Sequence, residues 1–159
     1  MPKLITALLI LTATVSKADW QYTKWGMRRE DVIRVAKGAA IPDAAGKDYT
    51  SDIEESLLAA PYKAGRFDFI AHFVFDKKTG ELRRVVLELK SPGECDLLWG
   101  ELLAKYGRPQ AEPKILDMME GATWRDEKAN NGIGIMRIRT NDICRVDYWE
   151  LKGPSNKGL

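Results

Sequence analysis

The sequence predicts an α+β domain: two short helices packed on antiparallel sheet, in the order helix, strands, helix, strands. Three observations carry this expectation. The stretch from Phe67 to Phe75 alternates, putting Phe67, Phe69, Ala71, Phe73 and Phe75 on one face of a strand. Asp76-Lys77-Lys78-Thr79-Gly80 is of hairpin length, and Val85, Leu87 and Leu89 alternate again beyond it; connections this short exclude parallel crossovers. Two further segments, Arg28 to Lys37 and Glu94 to Tyr106, carry apolar residues at helical spacing, and each ends at a glycine with a proline shortly after.

Residues 1–18 read as a secretory signal. Lys3 precedes an apolar run from Leu4 to Val15, and the small residues Ser16 and Ala18 suit a signal peptidase cutting before Asp19. The run is short for a bilayer span, so a retained anchor is the weaker alternative. Cleavage removes Lys3 and Lys17 with no acid, which turns the formal charge of +2 into zero. A balanced, interspersed charge leaves no footprint for nucleic acid or an anionic membrane surface. The expected location is therefore periplasmic or secreted, with no stable membrane anchor. Residues 19–152 then form a single domain, and 153–159, poor in apolar residues, form a tail.

Within the domain, Val32, Val35 and Ala36 recur on one side of the first helix, with Arg28, Arg29, Glu30 and Arg34 on the other. Gly38 and Pro42 stop it, and Ala39 to Ser51 reads as loop. Ser56 to Lys63 adds a strand that Pro61 places at an edge or a bulge. Ser91-Pro92-Gly93 breaks the sheet, and Leu98, Leu102 and Tyr106, or Cys95, Leu98 and Leu102, form the buried stripe of the second helix. Beyond Pro109 come strands at Lys114 to Glu120, Ala122 to Asp126, Gly132 to Thr140 and Asp142 to Leu151. The shared helix-stop signals make 24–90 and 93–152 candidate halves of a tandem repeat.

Two cysteines are present, Cys95 and Cys144, and in an exported chain they are read as a disulfide in preference to two separate thiols. Closing a loop of about 50 residues restrains the unfolded chain by about 4 kcal/mol. Without a Cys-x-x-Cys spacing the bridge is a staple and not a redox centre.

Trp25-Gly26-Met27, the helix carrying Glu30, Asp31 and Val32, the Phe-rich hairpin, and Leu102-Leu103-Ala104-Lys105-Tyr106-Gly107-Arg108-Pro109 together resemble a bacterial envelope pattern. It is similar to the small-protein superfamily of the outer-membrane assembly lipoprotein SmpA/OmlA and of β-lactamase-inhibitor-like (BLIP-like) repeats, over roughly Trp25 to Leu151. The resemblance implies a helical pair on an antiparallel sheet and a role in binding proteins. The chain departs from it at Arg28, where such helices carry a Ser or Thr cap, and in lacking a lipid-attachment cysteine after the signal.

No catalytic, cofactor-binding or metal-binding constellation is legible. His72, the only histidine, falls on the strand face opposite the phenylalanines, beside Ile70 and Val74 and flanked by Asp68 and Asp76. It is expected to be a surface or second-face residue, because an isolated imidazole lacks the orienting acid and nucleophile that catalysis needs. Glu30, Asp31, Glu94 and Asp96 sit at helix starts, where the macrodipole accounts for them, while Glu54 and Glu55 belong to a polar loop. Gly132-Ile133-Gly134 follows a turn in strand context and reads as structural, not as a phosphate loop.

Aromatic residues are more suggestive. Adjacent Tyr148 and Trp149 must point to opposite sides of a strand, so one of them leaves the main core. That residue, with Arg145, Arg137 and His72, forms the candidate binding surface, since aromatic and arginine side chains are common interface anchors. The function expected is a non-enzymatic protein-binding module with an envelope or secreted protein as partner, either an inhibitor or an assembly factor. The alternative is a small hydrolase with a site near His72.

Overall fold

The computed structural model describes residues 20–151. The expected signal at 1–18 and tail at 153–159 lie outside the described residues. The elements run α1 (Arg29–Val35), β1 (Ile41–Pro42), β2 (Glu54–Ala64), β3 (Phe67–Asp76), β4 (Leu82–Leu89), α2 (Cys95–Tyr106), β5 (Lys114–Ile115), β6 (Met119–Asp126), β7 (Asn131–Ile138) and β8 (Ile143–Glu150). Short 3-10 turns occupy Gly46–Tyr49, Pro92–Glu94 and Arg139–Asn141.

The fold class expected from sequence needs correcting. Two helices do not form a layer on a sheet; instead, one eight-stranded antiparallel sheet in the order β1-β2-β3-β4-β8-β7-β6-β5 dominates. Only one helix is of substance, the 12 residues of α2 extended by the 3-10 turn before it. The other, α1, has 7 residues and buries Val32 alone, because Lys37 turns into the left-handed region at φ 51° and ends it early. The long segment after α1, read as loop, contributes β1 and a 3-10 turn. The expected strand Lys114 to Glu120 is a two-residue strand, a turn and the start of β6. Each candidate half thus holds one helix followed by four strands, and the halves meet where β4 pairs with β8.

The period-2 pattern of β3 sets which face is which. Phe67, Phe69, Ala71, Phe73 and Phe75 are all buried on the first face, with Val85 and Leu87 of β4, Val146 of β8 and Ile133 and Ile135 of β7 beside them. Leu98 and Leu102 of α2 join this core, the short α1 adds only Val32, and Trp20 meets Phe73 edge-on at 5.7 Å. Burying a large apolar side chain contributes about 1.5–3 kcal/mol, so this face supplies most of the stabilisation. Cys95 and Cys144 are bridged, with Cα atoms 5.8 Å apart, which ties the first residue of α2 to the centre of the sheet.

Local chemistry explains the boundaries. Arginine cannot accept the free N–H groups at the start of α1; Asp31 instead accepts the Arg28 backbone N–H at 3.4 Å, while the Arg28 guanidinium donates to the Thr79 carbonyl at 2.7 Å. The β3–β4 turn closes on Asp76, whose carboxylate accepts the N–H groups of Lys78 (2.9 Å) and Thr79 (2.7 Å), and on Gly80 at φ 69°. The register of β2 shifts between Ser56 and Leu58, and β1 pairs only with Leu58 and Ala59, so Pro61 lies on a stretch of β2 whose outer edge has no strand partner.

Candidate functional site

The second face of the sheet is built from the residues that alternate with the core: Ile70, His72 and Val74 on β3, Arg84, Val86 and Glu88 on β4, and Arg145, Asp147 and Trp149 on β8. The register places Trp149 beside Arg84, Asp147 beside Val86 and Arg145 beside Glu88. On β7 the same face presents Gly132 opposite Trp149, Gly134 opposite Asp147 and Met136 opposite Arg145. The two halves of this face differ in what covers them.

Over β3 and β4 the middle of the face, at His72, Val74 and Val86, is covered, while Ile70 remains 37% exposed. The segment leading into β2 folds down so that Tyr49 joins Val74 and Val86 in a second small core and stacks on His72 with ring centres 4.1 Å apart. His72 and Asp43 have side chains only 2% exposed, and His72 Nδ1–H donates to Asp43 Oδ2 at 2.7 Å. The same carboxylate oxygen accepts Ser56 Oγ–H at 2.6 Å, and Oδ1 accepts the Ala45 N–H at 3.0 Å. The Tyr49 hydroxyl donates to Glu88; burial, and then this hydrogen bond, push its phenol well above the usual range. His72 Nε2 makes no hydrogen bond among the described residues and lies 3.6 Å from Glu88 Oε2.

A serine, a histidine and an acid are thus gathered around one point, but in the wrong order for nucleophilic catalysis. A nucleophile–base pair requires the hydroxyl to face the imidazole. Here both Ser56 and His72 donate to Asp43, which makes the cluster a buried polar clamp holding the covering segment on the sheet. Among the described residues no group of three or more His, Cys, Asp or Glu is placed to hold a metal ion.

Over β6 to β8 no described residue covers the second face. The Trp149 indole lies against the backbone of β7: a Cβ on Gly132 would fall 2.0 Å from Trp149 Cε2, and one on Gly134 3.3 Å from its Cζ3. Across the sheet Pro113 rests on Gly121, whose added Cβ would meet Pro113 Cγ at 3.3 Å. Between these two covers runs a groove of about 290 Å³, floored by Gly121, Thr123 and Gly134 and walled by Met119, Met136 and Trp149. Its charges are internally matched. Arg84 donates to Asp147 (2.9 Å) and Glu54 (3.1 Å), while Arg145 has its Nε 3.3 Å from Asp147 and its guanidinium 5.9 Å from the Tyr49 ring centre.

Next to the groove, Ile115 (51% exposed) pairs with the wall residue Met119, and the β5–β6 turn that follows exposes Leu116 (75%) and Met118 (47%). Leu116 takes φ 49°, a left-handed conformation uncommon outside glycine, and the Asp117 carboxylate between the apolar residues is fully exposed. The turn is anchored by Met118, whose carbonyl accepts the Arg139 N–H at 2.9 Å, and by Arg139 donating to Glu120 at 2.5 Å.

Of the residues singled out from sequence, the structure places Trp149, Arg145 and His72 on this second face. Tyr148 goes to the first face, packed against the core, where burial raises its phenol far above the usual range. Arg137 also lies on the first-face side, paired with Asp96 of α2 at 2.7 Å, and so does not join Trp149. Sequence reasoning missed the glycine floor, the clamp residues Asp43 and Tyr49, and the apolar turn at 115–118. The glycines carried a signal nonetheless, since Gly-x-Gly in a strand marks a close approach from a neighbour.

Comparison of the chain with protein-family models, with curated proteins and with solved structures finds no match. Among the described residues no helix is long and apolar enough to cross a membrane. The disulfide implies an oxidising compartment.

Proposed function

We propose that the protein is an exported, non-enzymatic binding module that recognises another envelope or secreted protein through the open half of its second sheet face. The observation that carries this reading is the apolar groove beside Trp149, which no described residue covers, with Ile115 paired to its wall residue Met119 and Leu116 and Met118 exposed in the adjoining turn. Monomeric proteins rarely leave contiguous apolar surface uncovered without a use for it, and tryptophan, methionine and arginine are the residues enriched in protein interfaces. Asp117 at the tip of the turn, 3.6 Å from Lys114, favours a protein over a lipid surface, because this charged pair is costly to bury among acyl chains, whereas polar groups on a protein can meet both charges. The resemblance to envelope binding proteins points the same way.

The test is site-specific crosslinking in the producing cell. A photoreactive residue at Met136, inside the groove, is expected to give one discrete protein adduct that disappears on Trp149→Ala or Leu116→Asp. The same residue at Leu103, on the outer side of α2, is expected to give none. An adduct indifferent to both substitutions, or one formed equally from Leu103, overturns the proposal. Mass spectrometry of the mature protein from the same cells checks the cut before Asp19.

A further inference from the structure

A second concavity lies on the opposite side of the molecule, between α2 and the first sheet face. It has a volume of about 330 Å³ and is lined by Phe69, Leu87 and Val146 of the sheet and by Leu98 and Leu102 of α2. Helix α2 therefore covers this part of the core incompletely. That size is at the small end of the range of about 300–1,000 Å³ typical of ligand sites, and apolar walls with a few convergent polar groups are their usual composition.

Two polar groups at its mouth have capacity left over. Lys105, in the last turn of α2, enters no ion pair among the described residues; its ammonium rests 5.0 Å from the Tyr106 ring centre. The Tyr62 hydroxyl accepts from Gln21 Nε2 at 2.7 Å and donates to nothing among the described residues, so its own proton is unengaged. The other cation on the rim, Arg66, is already held by Glu94 at 3.2 Å. Lys105 and Tyr62 act on one another, for burial raises the Tyr62 phenol while the nearby ammonium draws it back. The lining also holds the exposed carboxylate of Glu101, one turn before Lys105 on α2, so the match to an anion with an apolar body rests on Lys105 and the Tyr62 O–H together, and Glu101→Gln is expected to tighten binding.

We infer that this cleft binds a small apolar carboxylate, of the size of a medium-chain fatty acid or an arylacetic acid. The carboxylate meets Lys105 and the Tyr62 O–H, and the hydrocarbon lies on Phe69, Leu98, Leu102 and Val146. The inference is independent of the protein-binding reading, which concerns the other face.

Octanoate and phenylacetate are the probes, titrated into the mature, disulfide-bonded protein and followed by amide shifts in two-dimensional NMR. Saturable shifts are expected at Leu98, Leu102 and Val146, with octanol binding at least about tenfold more weakly than octanoate because it lacks the charge. Lys105→Met is expected to weaken octanoate about tenfold, and Tyr62→Phe by a smaller factor. Lys105→Glu should abolish octanoate binding and admit octylammonium. Lys105 is exposed, and an unchanged thermal transition confirms that its variants fold. Absence of saturable binding at millimolar probe, equal affinity for octanoate and octanol, or shifts confined to the Trp149 groove would each overturn the inference.

Discussion

Replacing Gly132 by alanine tests whether β7 is glycine-bearing in order to seat Trp149. The new Cβ would lie 2.0 Å from Cε2, 2.2 Å from Nε1 and 2.5 Å from Cζ2 of the indole. Carbon atoms rest about 3.5–4.0 Å apart, so the ring must withdraw by about 1.5 Å or rotate off the sheet. Overpacking of this kind costs about 1–3 kcal/mol. Gly134→Ala is the internal control: its Cβ would meet the far edge of the same ring at 3.3 and 3.5 Å, which a small tilt accommodates. Relieving a strand glycine of its backbone entropy stabilises by about 0.5–1 kcal/mol, so Gly134→Ala is expected to be neutral or slightly stabilising.

The two alanine variants should therefore differ by about 2 kcal/mol, or about 6–10 °C in Tm for a domain of this size. Calorimetry of both, in the presence and absence of Trp149→Ala, completes the cycle. In the Trp149→Ala background the penalty of Gly132→Ala is expected to vanish, because the atoms it strikes are gone. Equal Tm values for the two alanine variants, or a penalty that persists without the indole, would refute the reasoning. The same Gly132→Ala protein should lose the Met136 crosslink, which connects the packing of one ring to recognition.

Three other outcomes are expected. His72→Ala deprives the buried Asp43 carboxylate of a donor and leaves a void under Tyr49, so urea unfolding should show a loss of about 3 kcal/mol and amide exchange over 43–51 should quicken; a change within about 0.5 kcal/mol would show that the clamp does not hold the segment. Replacing Cys95 and Cys144 together by serine opens a bridge spanning 49 residues and is expected to cost about 4 kcal/mol. Two alkylatable thiols in native protein kept free of reductant would contradict the bridge itself. Asp76, with its carboxylate held low first by the Thr79 N–H, stabilises the fold above its unfolded value of about 4 and ceases to do so as pH falls through the depressed folded value. The stability gap between wild type and Asp76→Ala should then narrow on acidification below about pH 4, and a gap constant from neutral pH to pH 2 would remove the linkage.

Sequence alone determined the features that depend on residues within a turn or two of one another. The alternation of five apolar residues in β3, the Asp76–Gly80 turn, the glycine stop of α2 and the pairing of the two available cysteines all follow from local periodicity, backbone preference and simple counting. The adjacency of Tyr148 and Trp149 also dictated that they part to opposite faces. What local pattern could not determine was which of them left the core, because that depends on β8 lying between β4 and β7. Arg137 failed as a partner of Trp149 for the same reason: its face follows from pairing with Cys144, across a turn whose register no local signal specified.

The balance of helix and sheet was misjudged because helical spacing shows only where a helix can start. How far it extends, and how much it covers, is settled by tertiary packing, and here α1 stops after burying a single valine. His72 read as an isolated imidazole because its partners are remote in the chain; Asp43 lies 29 residues away, and Tyr49 is 39 residues from its acceptor Glu88. Such pairs exist only once the sheet has formed and the covering segment has folded across it. The open groove and the cleft beside α2 belong to that level too, since both are spaces left between elements, and a space has no residues of its own to be read.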